Sequence, residues 1–136
     1  MKKVLACVML LVLAGSAWAD VEEFRYFSLD VPDGWTATEE GAAVTVMKDD
    51  KTGSLSITAD DPQGQTIAEL AAKFSAELKG TEPEHDDEGS YTFSFNNGIS
   101  QAAIDGTEDL YLLIIGTGIE QNGEAMLEIL DSLEMK

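Results

Sequence analysis

An acidic segment at residues 82–88 carries the side chains whose type and spacing best suit ion chemistry. Hard cations such as Ca²⁺ take six to eight oxygen ligands, and carboxylates supply many of them. The candidate metal ligands are Glu84, Asp86, Asp87 and Glu88. Because their spacing does not match an EF-hand loop, the sequence favours a solvated acidic loop and keeps a calcium site as the alternative.

The only histidine, His85, lies in the same segment. A catalytic triad would need it beside a serine and an orienting carboxylate, and the chain has no Gly-x-Ser-x-Gly element. We expect a solvated loop histidine and assign no catalytic residue. A hydrolase built from two facing carboxylates stays open, because a sequence does not reveal which acids meet in a cleft.

A glycine pair, Gly116-Thr117-Gly118, follows an apolar run and precedes a helical pattern, as in dinucleotide-binding folds. The third glycine position holds Gln121, however, and too little chain remains to complete a βαβ unit. Glu120 and Glu124 also place negative charge where a pyrophosphate would bind. The sequence therefore predicts a flexible strand-to-helix turn and no nucleotide cofactor.

Residues 1–19 have the layout of a secretory signal peptide. Lys2 and Lys3 precede an apolar run at 4–14, and small residues Ala17 and Ala19 flank a cleavage position. The run is shorter than the roughly 20 apolar residues of a membrane-spanning helix. Cleavage at Cys7, as in a lipoprotein, would leave the rest of the apolar run on the protein and is disfavoured. We predict a periplasmic or secreted domain that begins at Asp20.

The remaining residues, 20–136, are strongly acidic and are long enough for one domain with a core of its own. They hold 26 acidic and six basic residues, a net charge of −20, and no cysteine. Nucleic acid is excluded as a partner because its binding depends on Lys and Arg, and anionic membranes are disfavoured for the same reason. A thiolate nucleophile and a cysteine metal site are excluded as well.

The sequence of the first half of the domain predicts short antiparallel strands followed by a helix. Strands are predicted at 24–31, from Trp35, at 42–47 and at 54–59, each with apolar residues on alternate positions. Thr66 and Glu69 form a capping box. Apolar residues then recur at helical spacing: Ile67, Leu70, Ala71, Phe74 and Leu78. Gly80 favours the end of this helix.

Strands return after the acidic segment, and a second helix closes the chain. Tyr91, Phe93 and Phe95 alternate on one predicted core face, and Asn96-Asn97-Gly98 predicts a hairpin into residues 99–104. The apolar run 110–115 has no polar side, which indicates a central strand with a helix over each face. Asn122 is predicted to cap a helix with one apolar stripe, made of Met126, Leu127, Leu130 and Leu133.

Together these elements predict an α+β fold with a mainly antiparallel sheet of six to seven strands flanked by two helices. The stretch from Phe27 to Trp35, with its Val-Pro-Asp-Gly-Trp turn, resembles the opening of PsbP-like and Mog1-like domains. The later strands and helices extend the resemblance over nearly the whole domain. It implies an antiparallel sheet with helices on both faces, a binding or assembly role without catalysis, and no carried-over active-site residues.

The function predicted from the sequence is that of an exported, non-catalytic domain that binds a protein or a small ligand. A tryptophan after a turn more often closes a core than lines a pocket. The surface near Gly34, Trp35 and Tyr111 is nevertheless where the sequence places a candidate binding groove. Divalent-cation binding by the acidic segment is the alternative function.

Overall fold

The structure, a computed structural model, describes residues 19–86 and 89–136. The strands are β1 (Ala19–Glu23), β2 (Phe27–Pro32), β3 (Trp35–Glu40), β4 (Ala43–Lys48), β5 (Ser54–Asp60), β6 (Glu84–His85), β7 (Tyr91–Phe95), β8 (Ser100–Gly106), β9 (Tyr111–Thr117) and β10 (Glu134–Met135). The helices are α1 (Ile67–Leu78) and α2 (Ile119–Asp131). Seven strands form the main sheet in the order β3-β4-β5-β9-β8-β7-β6, with every neighbouring pair antiparallel. The predicted α+β fold is confirmed.

Strand β9 is the centre of the main sheet. Its residues Leu112 and Ile114 lie opposite Ala59 and Ile57 of β5 and belong to the core under α2. The alternate residues, which include Leu113, face the core under α1. Side chains alternate between the two faces of a strand, so a strand apolar at every position needs cover on both sides. The predicted central position, with one helix over each face, is confirmed.

The two helices cover different halves of the sheet. Helix α1 packs on β7, β8 and β9, where Leu70 and Ala71 meet Phe93 and Ile104. Helix α2 packs on the opposite face with the cluster of β3, β4, β5 and β9. The half of the sheet beside α1 that no helix covers carries mostly hydroxyl and small side chains of β3 to β5, such as Thr45, Ser56 and Thr58.

A second, small sheet contains β10, β2 and β1 in that order. The strand predicted at 24–31 is present at Phe27–Pro32, but it lies in this small sheet and not in the main one. Strand β2 buries Phe27, Leu29 and Val31 against α2, and its edges pair with β1 and with β10 at the far end of the chain. The pairing with residues more than a hundred positions away has no local signal.

Helix α1 begins as the sequence predicts. Thr66 Oγ1 accepts a hydrogen bond from the Glu69 amide (3.1 Å), and Glu69 Oε1 accepts one from the Thr66 amide (2.8 Å). At the other end, Lys79 and not Gly80 adopts the left-handed conformation. Gly80 instead allows close packing, since a Cβ there would lie 2.8 Å from the Phe93 ring and from the Ser94 carbonyl oxygen.

Helix α2 begins three residues before the predicted cap. Its N-cap is Gly118, in the left-handed conformation, and Asn122 is the fourth helical residue. The prediction that Asn122 caps the helix is wrong because its side chain is needed in a buried contact described below. The Asn96–Gly98 hairpin is confirmed, with all three residues at positive φ between β7 and β8.

Candidate functional site

Tyr111 lies apart from Gly34 and Trp35, the other two residues of the predicted binding groove. Trp35 is buried at the start of β3 in the core under α2, and Gly34 is exposed in the preceding turn. Tyr111 is buried at the start of β9 on the opposite face of the sheet, where its ring lies 5.9 Å from that of Phe74. Trp35 thus closes the core. A binding site at these positions stays a prediction, on two separate surfaces.

Tyr111 has a perturbed phenol. Desolvation by burial raises the pKa of Tyr111 above its ordinary value of 10.0, and the negative charge of nearby Asp60 raises it further. Both effects disfavour the phenolate. The side chain therefore stays neutral at physiological pH and acts here as a packing residue with a hydroxyl, not as a base.

The acidic segment lies at the edge of the main sheet. Glu84 and His85 form the two-residue strand β6, and the His85 ring stacks on that of Tyr91 at 4.6 Å. Asp86 Oδ1 accepts a hydrogen bond from the Ser90 amide. Asp87 and Glu88 lie outside the described residues. Among residues 19–86 and 89–136, no three His, Cys, Asp or Glu side chains gather in a way that could hold a metal ion. The calcium alternative gains no support here and stays a prediction.

Two carboxylates share a cleft between β2 and α2. Asp30 and Glu128 line it with Pro32 and Ile129, and its volume is about 100 Å³. Ligand sites in proteins usually measure roughly 300–1,000 Å³. The cleft is therefore too small for the substrate of a carboxylate hydrolase, and the hydrolase alternative finds no support in this pair.

A buried polar junction fixes the start of α2 on the turn between β4 and β5. Asn122 is only 4% exposed; its Oδ1 accepts a hydrogen bond from Lys48 Nζ (3.1 Å), and its Nδ2 donates to Gly118 O (3.2 Å) and Thr52 Oγ1 (3.4 Å). A buried amide without hydrogen-bond partners would lower the stability of the fold by about 1–3 kcal/mol, so these bonds determine where the helix begins. The junction therefore sets the position of everything that α2 presents to solvent.

The same turn is held by Asp50. Its Oδ1 accepts hydrogen bonds from the Thr52 hydroxyl (2.7 Å) and the Thr52 amide (3.0 Å). These two bonds, with a smaller contribution from the charge of Lys48, lower the pKa of Asp50 below its ordinary value of 3.8. The carboxylate is therefore fully ionised at neutral pH, and the turn keeps a fixed shape against α2.

An apolar groove of about 130 Å³ lies between α2 and the main sheet. We call it the α2 groove; it is lined by Leu55, Ile114, Gly116, Ile119, Gly123, Met126, Leu127 and Leu130. Two glycines leave it open. A Cβ at Gly116 would lie 3.2 Å from Ile119 Cδ1, and one at Gly123 would lie 3.3 Å from Ile119 Cγ2. None of the residues that the sequence singled out for binding lines this groove.

Large apolar side chains remain exposed around the α2 groove. Leu127 is 63% exposed and Ile119 is 38% exposed. Ile99, in the turn between β7 and β8, is 55% exposed and shares with Ile119 an adjoining open cleft of about 440 Å³. These three residues form one surface, which we call the apolar patch. Clustered exposed apolar side chains of this kind mark interaction sites more often than single ones do.

A row of carboxylates borders the apolar patch. Glu120, Glu124 and Asp131 are exposed on α2, and we call them the acidic row. Leu127 lies three residues after Glu124 and four before Asp131, so all of them share one side of the helix. None of the three forms an ion pair with another residue in the described part of the chain. Apolar and negatively charged surface thus lie side by side.

The comparisons with known proteins bear on the fold that carries this surface. No family model and no curated protein matches the sequence. The solution structure of cyanobacterial PsbP (CyanoP) from Synechocystis sp. PCC 6803 aligns over 93% of this chain and 97% of its own, with a TM-score of 0.54 and 12% sequence identity. The chain has a PsbP-like fold. The likeness at this identity concerns the fold alone.

A crystal structure from Bacteroides thetaiotaomicron VPI-5482 is also similar, with 17% identity and a TM-score of 0.47 over 81% of this chain. The chain spans 45% of the length of that protein. The PsbP-like fold confirms what the opening from Phe27 to Trp35 implied about architecture. Within the described residues, no helix has the length and apolar character to cross a membrane.

The sequence missed the surface that α2 presents on this PsbP-like fold. It predicts one apolar stripe that includes Met126, Leu127 and Leu130, whereas in the structure Met126 is buried, Leu130 is half-buried and Leu127 is exposed. A signal is nevertheless present. Ile119, Met126 and Leu130 lie on one side of α2, and Leu127 and Ile129 flank them, so the apolar side is wider than a single core contact requires.

Proposed function

We propose that the chain is a non-catalytic accessory domain that attaches to a partner protein through the α2 groove and the apolar patch. The observation that carries this proposal is the exposure of Leu127 and Ile119 on either side of an apolar groove. Each would be better hydrated as a polar residue if α2 served only the core. Their burial against a partner would stabilise the complex by about 25 cal/mol for each Å² of apolar surface removed from water.

The glycine in the middle of α2 supports the same function. Gly123 lies inside the helix, where glycine is about 1 kcal/mol less favourable than alanine. The groove exists because no side chain occupies this position. The unfavourable residue thus lies where the surface is concave, as expected if the concavity serves binding. The non-catalytic part of the proposal rests on the binding or assembly role that the resemblance to PsbP-like domains implies.

We also propose that the domain works outside the cytoplasm, after removal of residues 1–19. Support comes from the signal-peptide pattern of residues 1–19. Amino-terminal sequencing of the protein from the extracytoplasmic fraction should read Asp20-Val21-Glu22. A protein that starts at Met1, or that stays with the cytoplasmic fraction, would contradict this placement.

Site-specific photo-crosslinking tests the docking function. A photo-reactive amino acid replaces Leu127 in cells that make the chain naturally, and the same residue replaces Val21 in the control. Val21 is 67% exposed and lies on β1 of the small sheet, so the control matches the exposure of the test position. We expect one defined partner band from position 127 and none from position 21. Equal labelling from both positions would refute a specific surface on α2.

A further inference from the structure

We propose that the occupant of the α2 groove is a cationic segment of a partner protein, with a large aliphatic side chain inserted beside Leu127 and lysines or arginines against the acidic row. The inference rests on the proposed function and adds to it the chemistry of the partner.

The groove accepts one side chain of moderate size. Its volume of about 130 Å³ is close to that of an engineered apolar cavity of about 150 Å³, which holds one benzene molecule. Its lining is aliphatic apart from two glycines and Met126. An apolar anchor therefore fits, while a polar or charged group would lose its hydration without finding a hydrogen-bond partner there.

The charge on α2 specifies what surrounds that anchor. The helix has four acidic residues, Glu120, Glu124, Glu128 and Asp131, and no basic one. Three of them follow at intervals of four residues, a spacing at which like charges destabilise a helix. Glu128 and Asp131 also lie in the last turns, where the helix dipole disfavours negative charge. A cationic partner against the acidic row would reduce the repulsion between Glu120 and Glu124 and the unfavourable dipole interaction of Asp131.

The same charge argues against other occupants. A second copy of the chain, paired through the same surface by a two-fold axis, would bring one acidic row against another. An anionic lipid surface would be repelled in the same way. A neutral apolar segment would fill the groove and leave the acidic row without partners. A cationic segment with an aliphatic anchor would both fill the α2 groove and place positive charges beside the acidic row.

Binding of model peptides tests the inference directly. The probe is a fluorescent peptide of leucine and lysine written at helical spacing, and matched peptides replace all lysines by glutamate or all leucines by serine. Fluorescence anisotropy with the purified chain should show saturable binding of the leucine–lysine peptide, weakened by salt. Both matched peptides should bind at least tenfold more weakly. If the glutamate peptide binds as tightly as the leucine–lysine peptide, the partner segment need not be cationic and the inference is wrong. If the serine peptide binds as tightly, no aliphatic side chain inserts into the groove and the inference is wrong as well.

Variants of the chain locate the binding. Leu127→Ser should weaken the binding of the leucine–lysine peptide roughly tenfold, because it removes much of the apolar surface that the peptide buries. Val21→Ser should leave this binding unchanged. The double variant Glu120→Gln/Glu124→Gln should weaken it about threefold. Glu77→Gln/Glu108→Gln changes the net charge equally but lies elsewhere on the exposed surface. If that control weakens binding as much, the peptide follows the overall charge and the inference fails.

The two proposals fail in distinguishable ways. If position 127 crosslinks a defined partner whose contacting segment is acidic or uncharged, the docking function holds and the cationic occupant is wrong. If position 127 crosslinks only a second copy of the chain, and sedimentation shows a dimer that Leu127→Ser dissociates, the occupant is a second copy. If position 127 gives no specific crosslink, the docking function itself is wrong.

Discussion

The substitution Gly123→Ala separates the stability of α2 from its function. Gly123 is the fifth of the 13 residues of the helix, and alanine there should stabilise the helix by about 1 kcal/mol. The new Cβ would lie 3.3 Å from Ile119 Cγ2, which is tighter than an ordinary contact. Ile119 is exposed enough to shift outward by a few tenths of an ångström, and an off-rotamer shift costs about 0.5 kcal/mol. The expected net change in the free energy of unfolding is therefore a gain of about 0.5 kcal/mol.

The same methyl group enters the α2 groove, so binding should change in the opposite direction. We expect about threefold weaker binding of the leucine–lysine peptide, because the new group fills space that the anchor would occupy. Stability is measured by urea denaturation followed by tryptophan fluorescence, and binding by anisotropy. Gln121→Ala is the matched control: the side chain is exposed on the same helix and does not line the groove. It should change stability by less than about 0.5 kcal/mol and leave binding unchanged.

Two results would refute this reasoning. A loss of more than about 1 kcal/mol in Gly123→Ala would mean that Ile119 does not shift and that the glycine is retained for packing. A gain in stability with unchanged peptide binding would mean that the groove is not the place where the anchor inserts. The predicted combination, a more stable protein that binds less well, is the one expected when a helix keeps a glycine for its function.

Four further substitutions, one of them a control, test how the strands and helices are held in place. Gly118→Ala should lower the free energy of unfolding by more than about 2 kcal/mol in urea denaturation, because the residue is left-handed and its Cβ would collide with the Thr52 carbonyl oxygen. Gly41→Ala is the control: Gly41 is also left-handed but faces open space, so this substitution should lower the free energy of unfolding by only about 1 kcal/mol. Thr66→Ala should lower the free energy of unfolding by about 1 kcal/mol through loss of the α1 cap, and an unchanged value would contradict the capping box. Burial raises the pKa of Tyr111, so the folded state keeps its proton more tightly: this contribution to stability is complete below pH 10.0 and falls as the pH rises beyond it. Urea denaturation above pH 10.0 should show a smaller pH dependence for Tyr111→Phe than for the unmodified chain, and equal slopes would argue against the shift.

Local patterns in the sequence predicted the parts of the fold that depend on neighbouring residues. The run 110–115 indicated a central strand because it lacks a polar side, and Thr66 with Glu69 marked the start of α1. The Asn96–Gly98 turn was recognisable because few residues tolerate positive φ. These features are encoded within a few residues of each other, and each is as predicted.

The features that the sequence did not reveal depend on distant contacts. Strand β2 leaves the main sheet because β10 reaches back to pair with Phe27 and Ser28. Helix α2 begins at Ile119 because Lys48 and Thr52 take the Asn122 side chain into a buried junction. Because Asn122 faces this junction, the side chains on the other side of α2, which include Leu127, face solvent. A helical pattern shows that an apolar side exists but not how much of it the rest of the chain covers.

The two core clusters require very different lengths of chain. The cluster under α1 is complete within residues 67–115, whereas the one under α2 joins Phe24 to Leu133. The Asp30 amide even donates its hydrogen bond to Ser132 Oγ, across 102 positions. Since nearby segments associate faster than remote ones, we expect a folding order in which the α1 half condenses first and α2 docks last. The surface with the apolar patch would then be the final part of the domain to fold. A partner that recognises this folded surface could not bind a chain that is still being synthesised or transported.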